Sequence, residues 1–135
     1  MNTEHASTER AGAEPAGALR LITALIHPHL EARVVKALQE LPEFPGFSLV
    51  EVRGQGRGRG AGGTYVATEY DLVYQRHLRL EIVSRADAVD TITRVIARTG
   101  WTGRRGDGVV FVTAVERLMR IREAGAPARE GEDAR

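Results

Sequence analysis

The order in which hydrophobic periodicity changes along this chain constrains its fold more than any other feature. Leu19 to Ile26 is a near-continuous apolar run, Leu-Arg-Leu-Ile-Thr-Ala-Leu-Ile, and reads as a buried strand. His27-Pro28 stops it, because a residue before proline is driven out of the helical region. Leu30, Val34, Leu38 and Leu41 then recur at helical spacing, predicting a helix over roughly 29–41 that Pro42 and Pro45 close. Phe47, Leu49 and Glu51 alternate with Ser48, Val50 and Val52, the period of a second strand. Leu78, Leu80 and Ile82 alternate with Arg79, Glu81 and Val83 in a third. Between Asp87 and Thr99, the residues Val89, Ile92, Val95 and Ile96 share one helical face. A glycine-rich turn feeds a fourth strand over 108–114, and Val115, Leu118 and Ile121 end the domain.

The resulting order, β-α-β-β-α-β, predicts an α+β fold of the ferredoxin-like, split-βαβ kind. Both helices pack on one face of a single sheet. Nothing in the chain is left to cover the other face, which argues for an oligomer. Residues 18–122 form the domain. Residues 1–17 show no periodicity and are expected to be a disordered extension; 123–135 read as an acidic flexible tail. The connection over 56–74 is long for a compact domain, and such connections are usually functional or mobile.

Composition removes several classes. The chain has 135 residues and no cysteine, which excludes disulfides, zinc–thiolate sites and iron–sulfur clusters. The polar start Met-Asn-Thr-Glu-His is not a secretory signal, and no apolar run approaches the ~18 residues of a membrane span. A cytoplasmic protein without membrane insertion is expected. Residues 1–17 and 123–135 each carry a net −2, so the overall +1 leaves +5 on 18–122. That balance favours anionic ligands but is too small to argue for duplex DNA.

Two segments suit an anion. Arg53-Gly54-Gln55-Gly56-Arg57-Gly58-Arg59-Gly60 follows the second strand, and Thr102-Gly103-Arg104-Arg105-Gly106-Asp107-Gly108 precedes the fourth. Glycines let backbone N–H groups approach an anion, and guanidinium groups match phosphate oxygens. Simpler readings stand beside this one. The turn at 103–108 can be a strand connector, and Arg59, Arg104 and Arg105 can be solvated charges. Gly58, Gly60 and Gly63 fit Gly-x-Gly-x-x-Gly, but no helix follows, so the dinucleotide fingerprint does not apply. The arginine-glycine stretch also suits a nucleic-acid-binding module. His27-Pro28-His29 lacks a third metal ligand, so no metal site is expected. Asp107 or Glu81 would be the acid/base of a small enzyme, yet no nucleophile, base and orienter surround Asp107. Trp101 reads as packing rather than base stacking.

The collinear set of these motifs resembles the PII signal-transduction (nitrogen regulatory P-II) family. The segment from Thr102 to Val112 is similar to that family's B-loop, 102–108, and the connection over 56–74 looks like its T-loop. Ala24-Leu25-Ile26-His27-Pro28, Val50 to Arg57, Glu69-Tyr70, Leu78 to Val83 and Arg120-Ile121-Arg122 fall at matching places. The resemblance covers about 19–122 and looks like a divergent PII-like branch. It implies a homotrimer that binds ATP, ADP or AMP between subunits and controls a membrane transporter or metabolic enzyme through its T-loop, in nitrogen or carbon signalling. A sensor of another small anion such as bicarbonate is the related alternative. By the same resemblance Gly54, Gly56 and Arg57 contact nucleotide, Ser48 and Glu81 lie near base and ribose, and Gly106, Asp107 and Gly108 wrap the phosphates. Arg120 and Arg122 reach the phosphates of the adjacent subunit's site. Tyr70 falls at the tyrosine that some members uridylylate, and Tyr65 and Tyr70 are candidate partner contacts. No catalytic role beyond weak ATP hydrolysis is implied.

Three departures matter. Gly58 replaces the glutamine that holds magnesium and 2-oxoglutarate, His77 replaces a lysine that pairs with the oxoacid, and Val109 replaces the lysine after the B-loop. Each removes a polar or cationic group. The magnesium and 2-oxoglutarate response is therefore not carried over by the resemblance, while adenine nucleotide binding is less affected.

Overall fold

The computed structural model describes residues 17–56 and 74–127. The N-terminal extension, most of the 56–74 connection and the end of the acidic tail lie outside the described residues. Four strands form one sheet: β1 (Leu19–Ile26), β2 (Ser48–Gly54), β3 (Gln75–Arg85) and β4 (Val110–Val115). They lie in the order β2-β3-β1-β4, with every neighbouring pair antiparallel. Two helices, α1 (Glu31–Gln39) and α2 (Val89–Gly100), make the crossovers, and a short α3 (Ile121–Ala124) follows β4. The predicted α+β, ferredoxin-like order is the one observed.

Register decides which side chains meet the helices. Ile22 pairs with Ile82 and Val112, and Ala24 pairs with Leu80 and Val110. These alternate residues of β1 and β3 share one face. That face meets Val34 and Leu38 of α1 and Ile92, Val95 and Ile96 of α2, all buried. Ile22, Val34, Leu38 and Leu80 are completely buried, and each such side chain contributes roughly 1.5–3 kcal/mol. Thr99 is a buried polar residue on α2; its hydroxyl donates to the Val95 carbonyl at 2.7 Å, which satisfies it without a partner from outside the helix.

The opposite face carries Leu21, Thr23 and Leu25 of β1, paired with Val83, Glu81 and Arg79 of β3. Phe111 of β4, opposite Thr23, and Val50 of β2, opposite Arg79, lie on it and are about half exposed. Among the described residues no helix covers this face.

Element boundaries differ from the periodicity in several places. His27 is extended and Pro28 opens a 3-10 turn over Pro28–Leu30, so α1 starts only at Glu31. A second 3-10 turn, Ala86–Ala88, precedes α2. β3 runs three residues earlier and two later than the apolar alternation, because ladder hydrogen bonds continue through the polar Gln75, Arg76 and His77 and through Ser84 and Arg85. β4 begins at Val110 rather than Gly108. Its approach is set by Leu25, whose N–H donates to the Val109 carbonyl at 2.8 Å.

Candidate functional site

The turn between α2 and β4 folds around one carboxylate. Trp101 leaves α2 in extended conformation, and Gly103 and Gly106 adopt φ of +77° and +86°, which glycine reaches at little cost. The chain thereby doubles back and Asp107 points into its own turn. Its Oδ2 accepts from the N–H groups of Thr102 at 2.8 Å and Gly103 at 3.1 Å. Its Oδ1 accepts from the Thr102 hydroxyl at 2.5 Å and meets His27 Nε2 at 2.9 Å. The Thr102 oxygen in turn accepts from the Arg104 N–H at 3.1 Å. The Thr102 hydroxyl and N–H, helped by Gly103 and His27 and opposed by desolvation, hold the Asp107 carboxyl at about 2, below its ordinary 3.8.

Two strands clamp this turn. His27 ends β1 and reaches Asp107; His77, on β3, donates from Nε2 to the Gly106 carbonyl at 2.8 Å. The two imidazoles stack with centroids 5.4 Å apart and planes 24° apart. The Gln75 amide lies beside Gly106, where a Cβ would sit 3.1 Å from its oxygen. Gly108 is a point of close approach: a Cβ there would lie 1.7 Å from the Leu25 carbonyl oxygen.

The clamp builds a cleft of about 460 Å3 between the turn and the strand ends that bound the 56–74 connection. That is within the range of small-ligand sites, roughly 300–1,000 Å3. Gly54, Gln55 and Gly56 form one wall, Gly106 and Asp107 another, and Thr23, Leu25, His77, Arg79 and Phe111 line the floor. The N–H groups of Thr102, Gly103 and Arg104 are used inside the turn. Those of Arg105, Gly106 and Gly108 have no acceptor among the described residues. These are the donors left for an anion.

Of the site residues expected from sequence, the structure brings Gly54, Gly56, Gly106 and Asp107 together at this cleft, though 50 residues separate the two groups. It does not bring Ser48, Glu81, Gly108, Arg120 or Arg122 to the cleft lining. Ser48 and Glu81 face each other across β2 and β3, and the Glu81 carboxylate already accepts from Arg79, 2.7 Å from Nε and 2.6 Å from Nη2. Gly108 packs on β1. Arg120 caps α3 and Arg122 lies within it, both exposed. Arg57, Gly58, Arg59, Tyr65 and Tyr70 lie outside the described residues. Trp101, expected to pack, is 68% exposed, its indole edge lying beside Gly103. The floor residues Thr23 and Phe111 were not singled out from sequence. Their shared signal is register: both sit on the strand face opposite the apolar core.

The comparisons with known proteins agree with this geometry. Residues 19–125 match the family described as nitrogen regulatory protein P-II. The chain belongs to this family. It is 38% identical over 104 residues to nitrogen regulatory protein P-II of Klebsiella oxytoca, covering 77% of this chain and 92% of that protein. It is 29% identical over 108 residues to nitrogen regulatory protein GlnK of Escherichia coli (strain K12), covering 80% of this chain and 96% of that protein. Among solved structures, Arabidopsis thaliana PII bound to citrate superposes with a TM-score of 0.61 at 24% identity, over 77% of this chain and 81% of that one. P-II proteins are regulators rather than enzymes. Among the described residues no helix is long and apolar enough to cross a membrane.

Proposed function

We propose that this P-II protein binds an adenine nucleotide in the cleft between Gly54–Gly56 and the 102–108 turn, and that the bound state sets the conformation of the 56–74 connection. The carrying observation is the convergence of the two glycine segments on one cleft, where the Gly106 N–H has no acceptor among the described residues. Phosphate oxygens are the acceptors that such a backbone nest fits. The cleft is also where β2 and β3 enter and leave the connection, so occupancy there shifts the population of loop states that a partner reads.

The uncovered sheet face supports a homotrimer, with Phe111 and Val50 buried between copies. Arg120 and Arg122, distant from the cleft within one chain, then serve an adjacent subunit's phosphates, and Arg57, Ser48 and Glu81 complete the nucleotide contacts. The partner is a transporter or metabolic enzyme in nitrogen signalling, the process for which the relatives are named. The expected working location is the cytoplasm. Tyr65 and Tyr70 are proposed as partner contacts, with Tyr70 a modification position.

Magnesium with 2-oxoglutarate does not fit the residues present. His77 stands where the resemblance places the oxoacid's lysine, and its Nε2–H is already engaged by the Gly106 carbonyl. Nucleotide charge state alone, ATP against ADP or AMP, is therefore the proposed input.

Isothermal titration with ATP, ADP and AMP tests the reading. Saturable binding of at least one is expected; no binding at millimolar nucleotide overturns it.

A further inference from the structure

A second cleft, of about 440 Å3, lies against the same turn and shares no residue with the first. His27 lines the second and Asp107 the first, so their 2.9 Å contact is the partition between them. The second cleft is lined by His27, His29, Arg33, Trp101, Thr102 and Arg104, with no carboxylate.

Three features there have no explanation within the fold. Trp101 is the sole tryptophan of the chain, and it is 68% exposed at the cleft wall rather than packed in the core. The guanidinium groups of Arg33 and Arg104 have no ion-pair partner among the described residues. Arg33 lies in the first turn of α1, where the helix dipole disfavours a cation. An anion in the cleft removes that penalty and gives both arginines a partner of matching geometry. The indole adds a flat apolar surface suited to an aromatic ring.

We infer that this cleft is a separate binding site for a small aromatic anion, an aryl phosphate or aryl carboxylate. The ring stacks on Trp101 and the anionic group lies between Arg33 and Arg104. A plain inorganic anion leaves the indole unused, and a neutral arene leaves both guanidinium groups unpaired. The inference does not rest on nucleotide binding in the first cleft.

Trp101 makes the test direct, because its indole N–H gives the only such resonance in a 15N correlation spectrum of the full chain. Phenyl phosphate and benzoate are titrated separately, without nucleotide, beside inorganic phosphate and benzyl alcohol. A saturable indole shift is expected for phenyl phosphate, benzoate or both, which tells the phosphate and carboxylate classes apart, with clearly weaker effects from inorganic phosphate and benzyl alcohol. Arg33→Ala and Arg104→Ala should each weaken binding about ten-fold, the effect of losing a charged hydrogen bond. Arg98→Ala, which removes the same charge from a residue outside the cleft, should leave it unchanged. Circular dichroism of each variant checks folding, and calorimetric titration of Trp101→Ala should show loss of the aromatic preference. A linear, non-saturating shift with both aryl anions overturns the inference, as does an equal response to inorganic phosphate. So does binding that survives both cleft arginine substitutions or falls as far in Arg98→Ala. Failure of ATP to bind would sink the nucleotide reading and leave this one standing.

Discussion

His77 Nε2 donates to the Gly106 carbonyl at 2.8 Å, fastening the strand that leaves the long connection to the turn that precedes β4. The two residues are 29 apart in sequence and line one cleft, His77 on its floor and Gly106 on a wall.

His77→Ala removes that bond. A net loss of about 0.5–1.5 kcal/mol in stability is expected from urea unfolding. Faster amide exchange should be confined to 102–108 and the start of β3. Unchanged exchange in the turn would show that the clamp does not operate.

Asp107 supplies a pH signature. Its carboxyl titrates at about 2 in the folded protein against 3.8 ordinarily, so the unfolded chain binds the proton first as pH falls. Its stabilising contribution is therefore complete above about pH 4 and lost progressively toward pH 2. The stability difference between the wild type and Asp107→Asn, from urea midpoints over this range, should shrink as pH falls. A difference that is constant or grows would contradict the assignment.

Gly108→Ala and Gly100→Ala should separate sharply. A Cβ at Gly108 would lie 1.7 Å from backbone oxygen of Leu25, a clash that costs at least about 2 kcal/mol. At Gly100 the nearest atom is the Ile26 Cγ2 at 3.6 Å, an ordinary contact at the end of α2. There alanine should be neutral or stabilise by up to about 1 kcal/mol. Thermal melts of both variants check the contrast.

Leu80→Ala tests the core face. Leu80 is completely buried between β1 and the helices, and its truncation should cost about 2–5 kcal/mol. An effect under about 1 kcal/mol would mean that the sheet is not packed on the helices as described.

Arg120→Ala tests the proposed sharing of a nucleotide site between subunits. If Arg120 of one subunit contacts phosphate bound at the next, its loss should weaken ATP binding by about 1.5–3 kcal/mol. The oligomeric state, measured by light scattering, should match that of the wild type. Unchanged ATP affinity would remove Arg120 from the site.

Much of this was legible in the residues. Periodicity of two through Leu78, Leu80 and Ile82, and of 3.6 through Ile92, Val95 and Ile96, is imposed by which side chains leave water, so the elements and their order can be read directly. The glycine segments were legible for a similar reason: Gly103 and Gly106 sit at positive φ, where other residues are strained. Element ends were less so. The polar start of β3 at Gln75 and the 3-10 turn after His27 are set by ladder pairing and proline geometry, which leave no apolar pattern.

The sequence by itself determined the α+β order, the family and the two glycine segments that meet at the cleft. Only the tertiary structure decided what each polar side chain does there. Asp107 turns inward onto Thr102 and Gly103, Glu81 is taken by Arg79, His77 ties the turn to β3, and Trp101 stands in the open in a cleft shared with Arg33 and Arg104. The physical reason is range. Burial patterns arise from neighbours along the chain, whereas a hydrogen bond needs two atoms within about 3 Å. Only the sheet register and the glycine turns bring together residues as far apart as His27 and Asp107.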